Sequence, residues 1–508
     1  MGRSAATCAD ARALAALSAT TVDESEGCAA LDLALATGLP PGTLYRTLIR
    51  LERSGLVAAH PPRLAYRGGR PSQPHSFAGG ERTGRRTYRL TDEGRTRTAA
   101  EPPTVPQENW LPALLVAVVT GYVVLARPEG SRLTDLNVYI GAVTGLRDGA
   151  SLYDFISGNA PFTYPPFAGL AFLPLTWIPA LPLQLGWTLA TILAVLALAV
   201  LSGSTSLIQG TRLTPGTRLS PSTKLTPGMG LIPSMRRNVP LLALVLMLSA
   251  PVSSNLKYGQ VSIFLAVLVV TDVVRDSRGQ GVLIGLAAAI KLTPLIFIPM
   301  LWFGGRKTAA FTAAATFACC AALAAVILPG DSWRFWTTEV MHVSRLGYIT
   351  SVGNQSLNGA LLRYDVAALA RSLSVLIVGG IVVVLALRRA ARLARDGDWL
   401  SAVVVVGAAG VVFSPVSWTH HQVWLVLAAL LPVRGPGWLR RTWPALVLAV
   451  MLLPVTALGP PLWSNARLLL AISTAALLPL GATRHTARGG DHAPRSSPPW
   501  KRVTTLDE

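Results

Sequence analysis

Apolar residues gather into runs near residues 110–126, 162–201, 239–255, 258–274, 281–303, 308–329, 366–387, 399–413, 422–433, 442–460 and 464–482, with short polar or basic connections between them. A hydrocarbon core takes about 20 apolar residues of helix to cross, and such runs over most of a chain predict an all-α polytopic membrane protein of about 11–12 transmembrane helices. Residues 1–108 contain no such run. They are rich in Arg, Gly and Pro and end on the linker AAEPPTVPQEN, which predicts a soluble domain with its linker (1–105), a membrane domain (106–483) and a basic tail (484–508).

The connections supply an orientation. Lys and Arg concentrate in RDSRGQ (275–280), GGRK (304–307), RRAARLARDGD (388–398), RGPGWLRR (434–441) and the tail from Arg484. The excess of basic residues on the inner side of a membrane assigns these to the cytoplasm, with both termini inside a plasma membrane. The loop after the first run, the loop 329–365 and the turn SPVSWTHH (414–421) then face outward. Two span counts fit. If 162–201 crosses twice and 281–303 once, the basic loop 202–238 lies outside; if 162–201 crosses once and 281–303 is a broken pair around Lys291-Leu292-Thr293-Pro294, every basic loop lies inside. Charge favours the second arrangement. The loop 202–238 also carries a degenerate repeat, TRLTPG, TRLSPS, TKLTPG, MGLIPS, which reads as an expanded linker.

Composition agrees with the pattern. The chain is 51% hydrophobic and 14% charged with mean hydropathy +0.46, against about 25% charged residues in an ordinary soluble domain. A net charge of +20 suits nucleic acid, anionic lipid or topology alike, so charge alone names no partner beyond the bilayer. Cys8, Cys28, Cys319 and Cys320 show neither a disulfide framework nor metal-ligand spacing and are expected to be free thiols. The N-terminus lacks the apolar core and cleavage pattern of a secretory signal.

The segment LDLALATGLPPGTLYRTLIRLERSGLVAA, followed after a loop by RRTYRLTDEGRTR, predicts helix, turn, helix and a two-stranded wing. Leu44, Leu48, Leu51 and Leu56 line one face, with Thr43, Arg46, Arg50 and Arg53 on or near the other. Over residues 31–97 this resembles the winged-helix domains of PadR-type regulators. The resemblance implies that Thr43, Tyr45, Arg46 and Arg50 face DNA, with Arg85 and Arg86 on the wing near phosphates. A proline linker leading into a membrane span and a lengthened wing depart from that family, so a protein-binding or vestigial module is the alternative.

Within the membrane region, polar groups interrupt apolar runs at positions that the topology brings to one side, and ionisable groups at membrane depth mark function by default. They are Asp135 and Tyr139; Tyr164 in FTYPPF; Lys257, Tyr258 and Gln260 in KYGQVS; Lys291 in AAAIKLTPLIF; Asn354 and Gln355 in GNQSLNG; and Ser417, Trp418, His420 and His421 in SPVSWTHHQVW. The acidic loop with its VY, then GASLYD, FTYPPF, GQVS, GLAAAIKLTP, NQSLNG and SPVSWTHH, in this order over residues 110–482, resemble glycosyltransferase family 87, polyprenyl-phosphomannose-dependent mannosyltransferases of the GT-C fold.

The resemblance implies transfer of a mannosyl unit, or a related sugar, from a polyprenyl phosphate to a glycolipid, lipoglycan or other glycan hydroxyl on the outer face, typically as an α-1,2-mannoside. Inversion needs one carboxylate to take the acceptor proton, while phosphate departs without an acid. Asp135 is assigned that base, with Asp148 and Asp154 as alternatives. Cations or donors must meet the departing phosphate, and Lys291, His420 and His421 suit it, His421 being favoured because adjacent side chains on a helix diverge. Tyr139, Tyr164, Gln260, Asn354, Gln355 and Trp418 are the substrate-binding candidates. No paired carboxylates accompany Asp135, so no metal is assigned, and the lipid-linked sugar is a substrate, leaving no cofactor. A secondary transporter and a membrane-tethered winged-helix regulator are the competing readings; the first lacks an internal repeat, and the second leaves the outer motifs unexplained.

Overall fold

The computed structural model describes residues 8–20, 28–29, 33, 37, 41–60, 87–100, 109–158, 160–209, 238–275, 279–342, 345 and 347–481. The chain divides into two compact units, the smaller holding Met1–Leu114 and the larger most of the chain from Leu115 onward.

The smaller unit is α+β. Helices Cys8–Thr20, Pro41–Arg53 and Asp92–Ala100 accompany a sheet in which Thr87–Leu90 is central, pairing antiparallel with Val57–His60 from Val57↔Leu90 to His60↔Thr87, and with Cys28–Ala29 on its other edge. Leu44, Leu48 and Leu51 recur at helical spacing and pack with Leu17, Leu33, Leu56, Tyr88 and Leu90 as the core. The hexapeptide repeat and the tail 484–508 lie outside the described residues.

The larger unit is helical. Among the described residues three helices are long and apolar enough to cross a membrane, Ala180–Gly203, Lys307–Ile327 and Ala368–Arg395, and Val239–Leu248 with Ala250–Tyr258 makes a fourth if the pair, bent by 62°, is one span. Their outward residues, such as Leu185, Leu189, Leu193, Leu369 and Leu376, are exposed and apolar, as a lipid solvent requires. The other apolar runs form shorter helices, including Leu111–Leu125, Ser262–Val274 and Trp399–Phe413.

Two runs depart from straight spans in ways that shape the site. The run 239–255 kinks where Ser249 leaves the helical region (φ −74°, ψ 146°) ahead of Pro251 in the first turn of the next segment, and that segment ends at Gly259 in the left-handed region (φ 71°). The run 281–303 breaks where sequence suggested: helix Val282–Ile290 stops at Lys291, which is extended (φ −148°, ψ 128°), and the chain resumes in a 3-10 turn Thr293–Ile296 with Pro294 near its start. The run 162–201 contains one long helix, preceded by the short helix Pro166–Phe172 and a 3-10 turn Leu173–Trp177.

Helix Val282–Ile290 is anchored at both its start and its flank. The buried Asp272 carboxylate accepts N–H bonds from Gly281 (2.8 Å) and Ile284 (2.9 Å), satisfying donors that a helix N-terminus leaves free. Along the flank, a Cβ on Gly285 would lie 2.4 Å from the Ala313 carbonyl oxygen of the alanine-rich helix Lys307–Ile327. Small residues let the two backbones touch, which is how helices pack where lipid removes the hydrophobic drive.

Gly285→Leu is therefore expected to abolish the folded protein, since the neighbour in its way is backbone. Fluorescence-detected gel filtration of detergent-extracted membranes would check this, with a monodisperse wild-type-like peak contradicting it.

Candidate active site

The site begins at the start of the helix that carries Asp135. Leu133 adopts the left-handed region (φ 50°) as the residue before helix Thr134–Arg147, and its N–H donates to the Lys257 carbonyl at 3.1 Å. This strained start sets Asp135 in the first helical turn, beside the turn that ends the bent pair.

From Asp135 a continuous set of hydrogen bonds runs inward. The Gln260 Nε2 amide donates to Asp135 Oδ2. Tyr164 donates its hydroxyl proton to Gln260 Oε1 (3.0 Å), and the Tyr139 hydroxyl bonds the Tyr164 hydroxyl (2.8 Å). Lys291 Nζ donates to the same Tyr164 oxygen (3.4 Å) and meets His421 Nε2 at 2.9 Å. Tyr139 stacks on Phe172 at 4.8 Å between ring centroids, which fixes its hydroxyl.

Exposure separates two kinds of member. Tyr139, Tyr164, Gln260 and His420 are buried, whereas Asp135, Lys291 and His421 are only half-buried. The accessible groups are one acid, one cation and one imidazole; the buried ones hold them. Burial raises the Asp135 carboxyl above the ordinary aspartate value, while the Gln260 hydrogen bond, the Lys291 charge and the Thr134 hydroxyl pull it back.

His421 Nδ1 accepts the Trp418 backbone N–H at 3.2 Å, which leaves the ring proton on Nε2, the nitrogen facing Lys291. Two donors thus converge at 2.9 Å, with the Tyr164 hydroxyl as a further acceptor for Lys291 alone, an arrangement that an anion would satisfy. His420 stands edge-on to His421 (4.5 Å) and to Tyr258 (6.0 Å), with Ser254 Oγ 3.5 Å from its Nδ1. Below Lys291 and His421 lies a cavity of about 60 Å³, polar at these residues and Ser417, and apolar along Leu265, Ala266, Val269, Phe297, Val411 and Trp424. Gly407 meets Trp424 so closely that a Cβ would fall 2.5 Å from its ring, which keeps that wall in place.

Other candidates have different neighbours. Asn354 and Gln355 are fully buried and committed to internal bonds. Asn354 Oδ1 accepts from Ser356 Oγ (2.9 Å) and Ser417 N (2.9 Å) while its amide donates to Ile349 O; Gln355 donates to Val352 O and Ser464 O and accepts from Leu468 N. Their amides tie residues 349–356 to the SPVSWTHH turn, and their full burial sets these two sugar-binding candidates apart from the half-exposed Asp135, Lys291 and His421. Trp418 lies half-buried over Gly347 and Gly353. Asp148 is exposed. Asp154 pairs with Arg334 at 2.5 Å, and that hydrogen bond holds its carboxyl below the ordinary aspartate value, so it is an ion-pair partner and a poor proton acceptor.

Sequence reading missed a network of charged residues around the GASLYD loop. Glu339 binds both Arg334 (2.9 Å) and Arg345, Ser151 donates to Asp331, and Arg345 donates to the Tyr153 carbonyl at 2.8 Å, so the GASLYD loop is fastened to residues 329–345. Opposite charges in the two loops were the available signal, but nothing in the chain says which pairs form.

In the smaller unit, Tyr45 is exposed, as a contact residue would be, but Arg50 forms an ion pair with Asp10 of the first helix (2.5 Å). The side chains of Thr43 and Arg46, and all of Arg85 and Arg86, lie outside the described residues. Among the described residues no three His, Cys, Asp or Glu side chains gather at metal-ligand distance.

The model of glycosyltransferase family 87 matches residues 162–415. A polyprenol-phosphate-mannose-dependent alpha-(1-2)-phosphatidylinositol mannoside mannosyltransferase of Mycobacterium tuberculosis is 32% identical over 343 residues, covering 65% of this chain and 76% of the relative. A polyprenol-phosphate-mannose-dependent alpha-(1-2)-phosphatidylinositol pentamannoside mannosyltransferase of Mycolicibacterium smegmatis is 32% identical over 408 residues, 75% of this chain and 92% of the relative. No solved structure matches the chain at a significant level.

Asn354→Ala should destabilise the fold, because it strands the backbone N–H groups of Ser417 and Ser356 at about 1–3 kcal/mol for each buried unpaired group. The apparent melting temperature of the detergent-solubilised protein would drop; an unchanged value would remove Asn354 from its role as a tie.

Proposed function

The chain belongs to glycosyltransferase family 87, and from that premise we propose that it moves a mannosyl unit from a polyprenyl phosphate to a hydroxyl of a glycolipid or glycan, with inversion, on the extracytoplasmic face. It is an integral-membrane glycosyltransferase. The proposal adds donor, acceptor class, stereochemistry, sidedness and residue roles.

The observation that carries the reading is the unbroken hydrogen-bonded path from a half-exposed carboxylate to a half-exposed cation, with the cation opening on an apolar cavity. A lipid phosphate asks for such a pair of surroundings: donors for the headgroup and apolar walls for the first prenyl units. Lys291 and the Nε2–H of His421 would receive the departing phosphate, whose negative charge grows in the transition state. Asp135 Oδ1 would take the proton of the acceptor hydroxyl as its oxygen attacks the anomeric carbon from the side opposite the phosphate. The C–O bond to phosphate breaks as the new glycosidic bond forms, the proton ends on Asp135 and the electron pair on the polyprenyl phosphate. Gln260 keeps Asp135 Oδ2 occupied, which aims the other oxygen outward.

The named relatives act on phosphatidylinositol mannosides, which supports a mannose-bearing lipid as acceptor. What supports an outward-facing site is the basic character of the loops at 275–280, 304–307, 388–398 and 434–441, which the positive-inside rule assigns to the cytoplasm.

In membranes supplied with labelled polyprenyl-phosphomannose, Asp135→Asn is expected to cut transfer to endogenous lipid by about 10²–10⁴-fold, the usual loss on removing a general base. Equal transfer by both proteins would remove Asp135 from the mechanism. The pH profile supplies a second check. A base works ionised, and burial raises this carboxyl, so the acid limb should fall at a pH above the value of about 3.9 of a free aspartate. Gln260→Leu removes a hydrogen bond to the ionised form and should move that limb to higher pH; a limb unmoved or displaced toward acid would contradict the assigned contact.

A further inference from the structure

Between Asn255 and Gln260, the side of the turn that faces Asp135 is largely closed: Asn255, Leu256, Gly259 and Gln260 are buried, and Lys257 and Tyr258 are what this turn leaves half-exposed. The turn cannot retreat from the acid. The Lys257 carbonyl accepts the Leu133 N–H, and a Cβ on Gly259 would lie 2.9 Å from Leu136 Cβ and 3.2 Å from Leu133 Cβ, so its backbone rests directly on the start of the Asp135 helix. Lys257 Nζ stands 4.8 Å over the Tyr258 ring, and that ring meets His420 edge-on. An ammonium and an aromatic ring therefore stand half-exposed on a turn whose backbone touches the start of the Asp135 helix and whose ring touches His420.

Charge says what such a pair would hold. Arg334 and Arg345 are taken up by Glu339, and Arg132 lies near Glu129, but among the described residues no carboxylate comes within ion-pair distance of Lys257. It forms no bond to Asp135 either, whose cationic neighbour is Lys291. The proposed donor phosphate already has Lys291 and His421, reached from Asp135 only through Gln260 and Tyr164. A second, separate cation with a ring beside it suits a second anion attached to a sugar, because the C–H face of a pyranose packs on an aromatic ring while the ammonium binds phosphate as a point charge.

We propose that Lys257 and Tyr258 form the acceptor subsite, Tyr258 packing against a sugar ring and Lys257 binding the phosphodiester of an anionic glycolipid whose hydroxyl is presented to Asp135. This rests on the proposed reading of Asp135 as base and adds the chemistry of the acceptor. The two substrates are thereby told apart by two lysines on different elements, one in the break at residue 291 and one at the end of the bent pair.

A phosphate on a neighbouring membrane lipid would offer Lys257 the same chemistry, so the test separates acceptor from headgroup and reads binding without turnover. The full-length protein in nanodiscs of neutral lipid is titrated with two fluorescent glycolipids carrying the same mannosides, one linked through a phosphodiester and one through an uncharged glycerol ether. Wild type is expected to bind the charged form about tenfold more tightly, the scale of one hydrogen bond to a charged group. Lys257→Ala should bind both forms equally and the neutral one as wild type does, Lys257→Arg should keep the preference, and Tyr258→Ala should weaken both forms alike. Three outcomes overturn the proposal: a preference that survives in Lys257→Ala, a loss of neutral-form binding in that variant, or a wild-type preference that vanishes when anionic phospholipid is added to the disc, which would assign Lys257 to headgroups. Because no donor is present, a failure of the transferase reading would appear separately, as absent transfer with intact discrimination here.

Discussion

The Gln260 amide is the constraint on which the arrangement turns, because an amide has a donor end and an acceptor end that cannot be exchanged without a flip. With Nε2 directed at the Asp135 carboxylate, Oε1 must face Tyr164, so the Tyr164 hydroxyl has to donate, and its lone pairs are left to Tyr139 and Lys291. The hydroxyl protons of Tyr164 and Tyr139 follow from that one amide orientation. The acid and the cation influence one another without forming an ion pair, and both keep a free side. A direct bond between them would tie up both charges and leave neither a free side.

That network is possible only because helices are broken where it passes. An unbroken helix keeps its backbone groups to itself and offers side chains around a smooth cylinder. The stop at Lys291, the left-handed starts and ends at Leu133 and Gly259, and the kink at Ser249 instead bring short segments end-on to one point. In a lipid solvent such irregular backbone is tolerated where it lines a cavity or is buried in protein, and this region meets that condition. The strain is held by rigid neighbours: Gly285 against Ala313, Asp272 on the helix start, Gly407 under Trp424.

The loops around the site add a second layer. Glu339 with its arginines, and Asn354 with Ser356 and Ser417, clamp the GASLYD loop and the histidine turn to residues 329–358. These bonds position groups that position the site, so their loss would be felt as instability before it was felt as altered chemistry.

The sequence by itself determined much of this protein. Long apolar runs can only be membrane helices, because nothing else buries twenty apolar residues and their backbone polarity together, and isolated polar residues inside such runs had to have partners. Asp135, Tyr164, Gln260, Lys291 and His421 were all legible in that way, as were the break at Lys291-Leu292-Thr293-Pro294 and the leucine core of the small unit. Tertiary structure decided which of them meet and in what capacity. Tyr139, Tyr164 and Gln260, expected to touch substrate, face one another; Asn354 and Gln355, polar and therefore conspicuous, are consumed by backbone groups; Arg50, expected at DNA, is paired with Asp10. The kink at Ser249 was invisible because a proline in the first turn of a helix and a proline interrupting one look alike in a string. A hydrogen bond joins residues more than a hundred positions apart, as Gln260 joins Asp135, and no local pattern encodes which distant donor a carboxylate will find.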